Sequence, residues 1–422
     1  MNQIASNIAK AGVLTLLAVW PPASAAAQEL IDTKLERGTN SPYMLGDWSG
    51  GRTRLANKGV TFNLIYVDDV LSDTRRDVAN WSRVRGTLDI DFEKAEVVRG
   101  LKFHITAMWQ AGGNLGAHLG TIANPSSLAS VNLIRLDSWW FEKAFVQHKL
   151  FVRAGQFAGL DSYGVQPYGE SFINEPLGYA MGNLIQATYE TFAPAATPAF
   201  EVRYVPSRRF YVKSAIFSGN RNPFHDDENG VHFRFKDAPV IAAEAGYFVN
   251  PGLSPGEQDY SGLYAFGTTI NTGPFQNIAT GQRTRTNYLL YFTANQQVCC
   301  SQARTSRALD VAFTVDWTPE DMTRNFSQLT GGLRYRGLLR RREHDTASLG
   351  FVYSRSSGVL NRALSQYGMA PYAAEKLLEL NYAFQLNRWL TFQPVFQYYF
   401  DTGGDPRRRN NAVAGFRTLF VL

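Results

Sequence analysis

The sequence predicts an all-β fold: a transmembrane antiparallel β-barrel of about 16 strands, with a loop that constricts its lumen. Three observations carry this expectation: an export signal at the N-terminus, an aromatic- and glycine-rich composition poor in charge, and long stretches of alternating apolar and polar residues. Of 422 residues, 45% are hydrophobic, 13% aromatic and only 18% charged, with 36 Gly and 20 Tyr. Soluble domains carry roughly 25% charged residues. The mean hydropathy is nevertheless −0.23. After the N-terminal leader, no uncharged run approaches the ~20 apolar residues a spanning helix needs. Coiled coils, disordered tails and disulfide frameworks are excluded by the same composition, and what remains is a large β protein.

Lys10 is the only charged side chain before Glu29, Ala11 to Val19 form a short apolar run, and Ala23-Ser24-Ala25 and Ala25-Ala26-Ala27 each fit a cleavage pattern. That order is a secretory signal peptide, too short to span and stay. It sets the expected division: 1–27 signal peptide, 28–58 a periplasmic N-terminal segment, 59–422 the barrel. No Cys follows the cleavage sites, which excludes a lipoprotein anchor. Cleavage removes Lys10 and leaves 41 basic against 36 acidic residues, a net of +5. So mild an excess, without a basic helix, gives no nucleic-acid partner. The two cysteines, Cys299 and Cys300, are adjacent. A bond between neighbours closes almost no loop and cannot staple a fold, so strand pairing has to hold the chain together.

The strands follow from a period of two. In RVRGTLDIDFE, one face carries Val84, Gly86, Leu88, Ile90 and Phe92, and the other Arg83, Arg85, Thr87, Asp89, Asp91 and Glu93. Successive strand side chains point to opposite faces, so one side is oily and the other charged. Leu378, Leu380, Tyr382, Phe384 and Leu386 alternate likewise with Glu379, Asn381, Ala383 and Gln385. Leu309, Val311, Phe313, Val315 and Trp317 alternate with Ala308, Asp310, Ala312, Thr314 and Asp316. A half-exposed sandwich would alternate too. These runs, however, are close to the ~9–11 residues that cross a bilayer at a tilt. Aromatics such as Trp317, Tyr398, Phe400 and Phe420 also gather at their ends, where an interfacial girdle lies.

Sixteen strands are expected, near 60–71, 83–95, 101–111, 135–148, 149–157, 198–206, 209–218, 238–249, 259–270, 287–297, 306–317, 328–338, 346–356, 375–386, 389–400 and 411–421. An even count returns both termini to one side. Short links (near 205–208, 251–252, 298–302 and 387–388) alternate with long ones over 112–134, 157–197, 219–237, 271–286, 357–374 and 401–410. The 157–197 segment is too long for a simple loop. It is expected to fold into the lumen, the alternative being a cover over the mouth.

Laid out this way, the sequence resembles the OprB family of carbohydrate-selective porins. The likeness begins at Leu45-Gly46-Asp47-Trp48-Ser49-Gly50-Gly51-Arg52-Thr53-Arg54-Leu55, continues through Arg135 to Lys143 and Leu150-Phe151-Val152-Arg153-Ala154-Gly155-Gln156, and closes with Glu375 to Gln385 and Leu390-Thr391-Phe392-Gln393-Pro394-Val395-Phe396-Gln397-Tyr398. It departs at the C-terminus, Leu419-Phe420-Val421-Leu422, where such barrels more often end in an aromatic residue. The resemblance implies an outer-membrane channel for small carbohydrates. It also implies that Glu142, Arg153 and Gln156 lie on lumen-facing strands beside the inserted loop, and that Asp47, Trp48 and Arg52 tie the N-terminus to the barrel.

A porin does no covalent chemistry; pore width, wall hydrogen bonds and the local field select its solute. A sugar path wants Arg, Asp, Glu, Asn and Gln for hydroxyls. The predicted inward faces offer Arg83, Arg85, Asp89, Asp91 and Glu93; Glu201 and Arg203; Arg334 and Arg336; and Glu379, Asn381 and Gln385. Charges of both signs argue against strong ion selectivity, though inward charges also serve merely to hydrate a lumen and pair across it. Arg407-Arg408-Arg409, on an expected outer loop, would bridge lipopolysaccharide phosphates, with attraction of anionic solutes as the alternative. The six histidines show no metal spacing, and neither a G-x-S-x-G elbow nor a phosphate-cradling loop occurs. No enzyme, metal or cofactor is expected. Three readings stay open: a sugar-selective porin, a general or other small-solute porin of the same fold, and a non-channel outer-membrane β-domain. Large barrels commonly form homo-oligomers, but no interface is legible here.

Overall fold

The computed structural model describes residues 41–75, 77–178, 188, 195–250, 261–284, 286–299 and 307–422. The expected signal peptide and the residues up to 40 lie outside the described residues, as does Cys300. Along the chain the first wall strands are β1 (Val60–Asp73), β2 (Val78–Asp91), β3 (Leu101–Gly112), β4 (Leu133–Phe145) and β5 (Leu150–Phe157). Next come β6 (Thr197–Ser207), β7 (Phe210–Phe217), β8 (Val240–Val249) and β9 (Gly262–Asn271). A small separate hairpin follows, β10 (Phe275–Gln276) with β11 (Arg283–Thr284). The wall is completed by β12 (Asn287–Cys299), β13 (Ala308–Trp317), β14 (Asn325–Arg336), β15 (Thr346–Ser356), β16 (Glu375–Asn387), β17 (Leu390–Phe400) and β18 (Asn411–Val421).

Sixteen of these strands close into one antiparallel barrel in which each pairs with its sequence neighbour and β1 pairs with β18. The sixteen expected runs all fall on wall strands. Most boundaries shift by a few residues, and the shift that moves a candidate residue is at β2, which ends at Asp91, not at 95. The Asp91 carboxylate accepts the backbone N–H groups of Glu93 and Lys94 at 3.1 and 3.0 Å, an Asx turn that stops the strand. Glu93, expected on the wall, therefore lies in the rim turn, where it accepts the Gly100 N–H at 2.8 Å. Strand β2 gains its length at the other end instead, starting at Val78.

Alternation sorts the two faces as expected. On β16, Glu375, Leu377, Glu379 and Asn381 are buried toward the interior, while Leu378 and Leu380 stay open on the outside. Ring pairs mark both ends of the outer face: Tyr66, Phe420 and Trp389 at the rim that carries the chain terminus, and Tyr288 with Trp317 at the other. At the first rim the helix Gly51–Asn57 packs against the foot of β1. Arg52 there donates to the Leu422 carbonyl at 2.7 Å, beneath the rings of Tyr43 and Trp48, while Asp47 accepts from the Thr53 N–H at 2.9 Å.

The seam between first and last strands is held by more than its ladder. Arg417 of β18 donates two hydrogen bonds to Asp69 of β1, at 2.6 and 2.8 Å, and Asp69 is 1% exposed. Removing one partner of a buried pair costs about 3–5 kcal/mol, whereas a matched apolar pair restores most of it. Arg417→Ala should therefore lower the urea midpoint of the folded barrel. The double variant Asp69→Leu/Arg417→Met should recover it, read as the electrophoretic shift between compact and unfolded forms.

Candidate functional site

The site grows from what the long connections do inside the wall. After β5 the chain turns inward and crosses the lumen, touching strand after strand. Ser162 accepts from Arg153 of β5 at 2.6 Å, and its carbonyl accepts from Lys213 of β7. The Gly164 N–H donates to Glu244 of β8 at 2.8 Å. Gln166 reaches Thr314 of β13 and Thr330 of β14. The Ile173 and Asn174 N–H groups donate to Glu379 of β16 at 2.9 and 2.8 Å, and Gln393 of β17 donates to the Ser171 carbonyl at 2.9 Å. This described part of the 157–197 segment thus lies within the barrel, not over its mouth. Residues 179–187 and 189–194 fall outside the described residues.

Packing explains why this segment enters. Gly332 of β14 and Gly350 of β15 are register partners on the inner face. Added β-carbons there would lie 2.6 and 2.8 Å from the Phe172 ring. The paired glycines leave a dent that receives Phe172 and Leu177, both about 1% exposed.

A second connection, between β3 and β4, also folds inward, where the sequence marked only a long link over 112–134. Glu375 accepts the N–H groups of Ile122 and Ala123 at 3.0 and 2.7 Å, and of Gly403 at 2.6 Å. Gln397 and Tyr399 bond the carbonyls of Pro125 and Ala123, and Ser126 reaches Asp69. The two loops are joined by the Ser127 N–H to the Ile173 carbonyl at 2.8 Å. Polar wall residues here are satisfied by loop backbone. Neither strand periodicity nor loop composition signals such distant partners.

The charged wall is largely self-neutralising. Glu142 pairs with Arg203 at 3.1 Å, Arg153 with Glu201 at 2.8 Å and Lys213 with Glu244 at 3.0 Å, a staggered row running from β4 to β8. Arg334 pairs with Asp310 at 2.9 Å, and the His104 ring is hydrogen-bonded to Asp89 at 2.6 Å. Arg153 also lies 4.1 Å from the Phe157 ring and 5.4 Å from that of Trp140. It is thus locked into the wall beneath the inserted loop. Arg83 donates to Gln110 and to the Leu128 carbonyl. Asn381 bonds Glu379 and Gln393. Gln385 sits at the rim and donates to the Asn387 carbonyl, and Asp91 lies 3.7 Å from Lys102. Gln156 is fully buried and donates to the Asp137 and Gly230 carbonyls, so it ties wall to loop. Among the described residues, Arg85 and Arg336 make neither an ion pair nor a hydrogen bond.

Sequence reasoning passed over Lys213, Glu244 and Asp69, and put Asp310 on a polar face without choosing it for the path, although alternation marks all four positions as inward. It could not have found Asp137. That residue sits at a β-bulge between β3 and β4, which turns both Asp137 and Ser138 inward. Asp137 is fully buried, near Arg85, Arg135 and Asp161 and the Ala196 backbone. On the outer loops, Arg407 chelates Asp405 of its own turn at 2.9 and 3.0 Å and holds that carboxyl down to about 2. Arg408 donates to the Leu119 carbonyl at 2.8 Å. Two of the three consecutive arginines are therefore engaged within the protein, and Arg409 is exposed.

If the glycine dent seats the crossing segment, Gly332→Leu should expel Phe172 and raise single-channel conductance in planar bilayers. An unchanged conductance in a folded variant would show that the segment is held without the dent.

The comparisons follow this geometry. The model of the family described as carbohydrate-selective porin, OprB family, matches residues 75–422. Porin B of Pseudomonas aeruginosa is 23% identical over 425 aligned residues, covering 91% of this chain and 92% of that protein. Among solved structures, the high-pH form of Pseudomonas putida OprB superposes with a TM-score of 0.83 at 20% identity, covering 92% of this chain and all of that one. Its low-pH form gives 0.59 at 17% identity over 91% of this chain. A closed sixteen-strand wall with oily exterior and charged interior, matched over this span, makes the chain an outer-membrane β-barrel and a member of the OprB family of carbohydrate-selective porins.

Proposed function

We propose that the protein carries small, neutral, glucose-type sugars by passive diffusion through a water-filled lumen narrowed by its two inward connections. The observation that supports this most is the pairing of wall charges. Glu142–Arg203, Arg153–Glu201, Lys213–Glu244 and Arg334–Asp310 cancel locally. The field left along the path is weak for ions, while hydrogen-bonding groups stay dense for hydroxyls. Arg336, which makes no ion pair or hydrogen bond among the described residues, is the cation left to meet a solute, whereas Arg85 is 8% exposed and lies near the buried carboxylates of Asp137 and Asp161. The paired residues set the shape of the wall. In this reading residues 1–27 are removed on export and 28–58 lie on the periplasmic side. The long-connection rim faces the exterior.

Planar-bilayer conductance with a titrated panel of sugars is the decisive measurement. Current blocked by glucose-sized sugars at millimolar concentration supports the proposal. Equal liposome permeation by sugars, amino acids and dicarboxylates of matched size would leave a general diffusion porin, and no current at all a binding domain.

Two variants refine the assignment. Arg336→Ala should weaken sugar block severalfold and shift ion selectivity toward cations, because it removes a lumen charge without breaking a pair. Arg153→Ala acts differently, leaving Glu201 buried without its closest cation at a cost of about 3–5 kcal/mol. Its main effect should be a lowered unfolding midpoint, with a widened channel only where the inserted loop loosens at Ser162. Loss of sugar block with unchanged stability would instead make Arg153 a direct sugar contact.

A further inference from the structure

The connection between β7 and β8 contains an unusual strip, Val231-His232-Phe233-Arg234-Phe235-Lys236, in which apolar and basic residues alternate. Val231, Phe233 and Phe235 are 58, 56 and 52% exposed. Three neighbouring large apolar side chains left so open are not what a loop in water presents. Their location gives the reason. The Phe233 ring lies 5.1 Å from Trp139. Trp139 shares the outward face of β4 with Phe141, whose ring lies 4.8 Å from that of Phe103. Ile134, on the same outward face, is 73% exposed. The strip therefore lies on the outside of the barrel and continues its lipid-facing surface beyond the strand ends.

Both ends of the strip are fastened. The Val231 and His232 N–H groups donate to Asp227 at 2.9 and 3.0 Å, Asp227 lies 3.5 Å from Arg135, and the Lys236 N–H donates to Ser218 at 2.8 Å. Between these points, the N–H groups of Phe233, Arg234 and Phe235 donate to nothing among the described residues. Unsatisfied backbone is not tolerated in hydrocarbon, but headgroups and water satisfy it at the interface, where aromatic side chains also concentrate. Of the basic residues, Lys236 is paired with Asp226 at 2.7 Å and His232 lies 3.6 Å from Asp227. Arg234, between two open phenyl rings, makes no ion pair among the described residues. The exposed carboxylates Glu228 and Asp237 flank the strip, so net charge is not the attraction. What it offers is apolar contact with one guanidinium set in it, which suits a molecule with acyl chains and a phosphate close together.

We infer that residues 231–236 dock a phosphorylated glycolipid of the outer leaflet. Its acyl chains lie against Phe233, Phe235 and Trp139, and its phosphate accepts from Arg234. This rests on the reading that the long-connection rim faces outward, which Arg234→Cys labelled in intact cells by an impermeant thiol reagent reports separately. The test uses the full-length barrel in phosphatidylcholine nanodiscs with or without rough lipopolysaccharide, or with phosphatidylglycerol in its place. Retained lipid is counted by native mass spectrometry and stability read from the unfolding midpoint. The wild type should retain lipopolysaccharide and gain stability from it, but not from phosphatidylglycerol. Phe233→Ser/Arg234→Ser/Phe235→Ser should weaken retention about tenfold and leave conductance and sugar block unchanged. Should the triple variant fail to fold, Arg234→Gln should lose the preference for phosphorylated over dephosphorylated lipid A. Equal retention by wild type and variant, or an equal gain from phosphatidylglycerol, would overturn the assignment, whether or not sugars pass through the lumen.

Discussion

In hydrocarbon no backbone N–H or C=O can be left without a partner, and a sheet escapes that penalty only by having no edge. Everything else in this molecule follows from the closure of β1 on β18. The register from Ile65↔Val421 to Asp73↔Val413 supplies the ladder. The buried Arg417–Asp69 pair, joined by Ser126 from the β3–β4 connection, ties that seam to the contents of the lumen. Wall and constriction are therefore not independent modules. The loops that narrow the barrel are bonded to the strands that close it.

Closure also dictates the chemistry of the inner face. A charged residue at an inward position is costly when loops fold over it and remove its water, unless an opposite charge or several donors are within reach. The barrel uses both solutions. From β4 to β8 each charge meets an opposite one on a neighbouring or next-neighbouring strand. Along β16, Glu375 and Glu379 take backbone N–H groups from the inserted loops. One side of the interior is thus electrostatically knitted, and the other serves as a docking wall for loops. The glycine pair Gly332 and Gly350 adds a steric seat for Phe172 to that second side. A neutral solute crossing such a lumen meets many hydrogen-bonding groups and little net field, consistent with a carbohydrate-selective family.

The alternation in Arg83 to Asp91, in Glu379 to Leu386 and in Leu309 to Trp317 was enough to define wall strands, their number and their two faces. Period two is a local property enforced by the environment on either side of the sheet. The tie of Arg52 to the barrel foot came from the family resemblance of residues 45–55, and the structure shows it as the bond from Arg52 to the Leu422 carbonyl. Glu93 was misjudged as a wall residue because a single Asx turn at Asp91 ends β2 while the apolar pattern runs on through Phe92.

What the sequence by itself determined, then, is the cylinder: sixteen crossings, an oily outside, a charged inside, and long connections on one rim. Only the tertiary structure decided which charges neutralise one another, that two connections and not one fill the lumen, that Asp137 is turned inward by a bulge, and that residues 231–236 lie on the outer surface. The physical reason is range. A strand's faces are set by its immediate neighbours in the chain, whereas the partners of Glu375, Glu379 and Asp69 lie tens to hundreds of residues away, and closing the barrel is what brings them together.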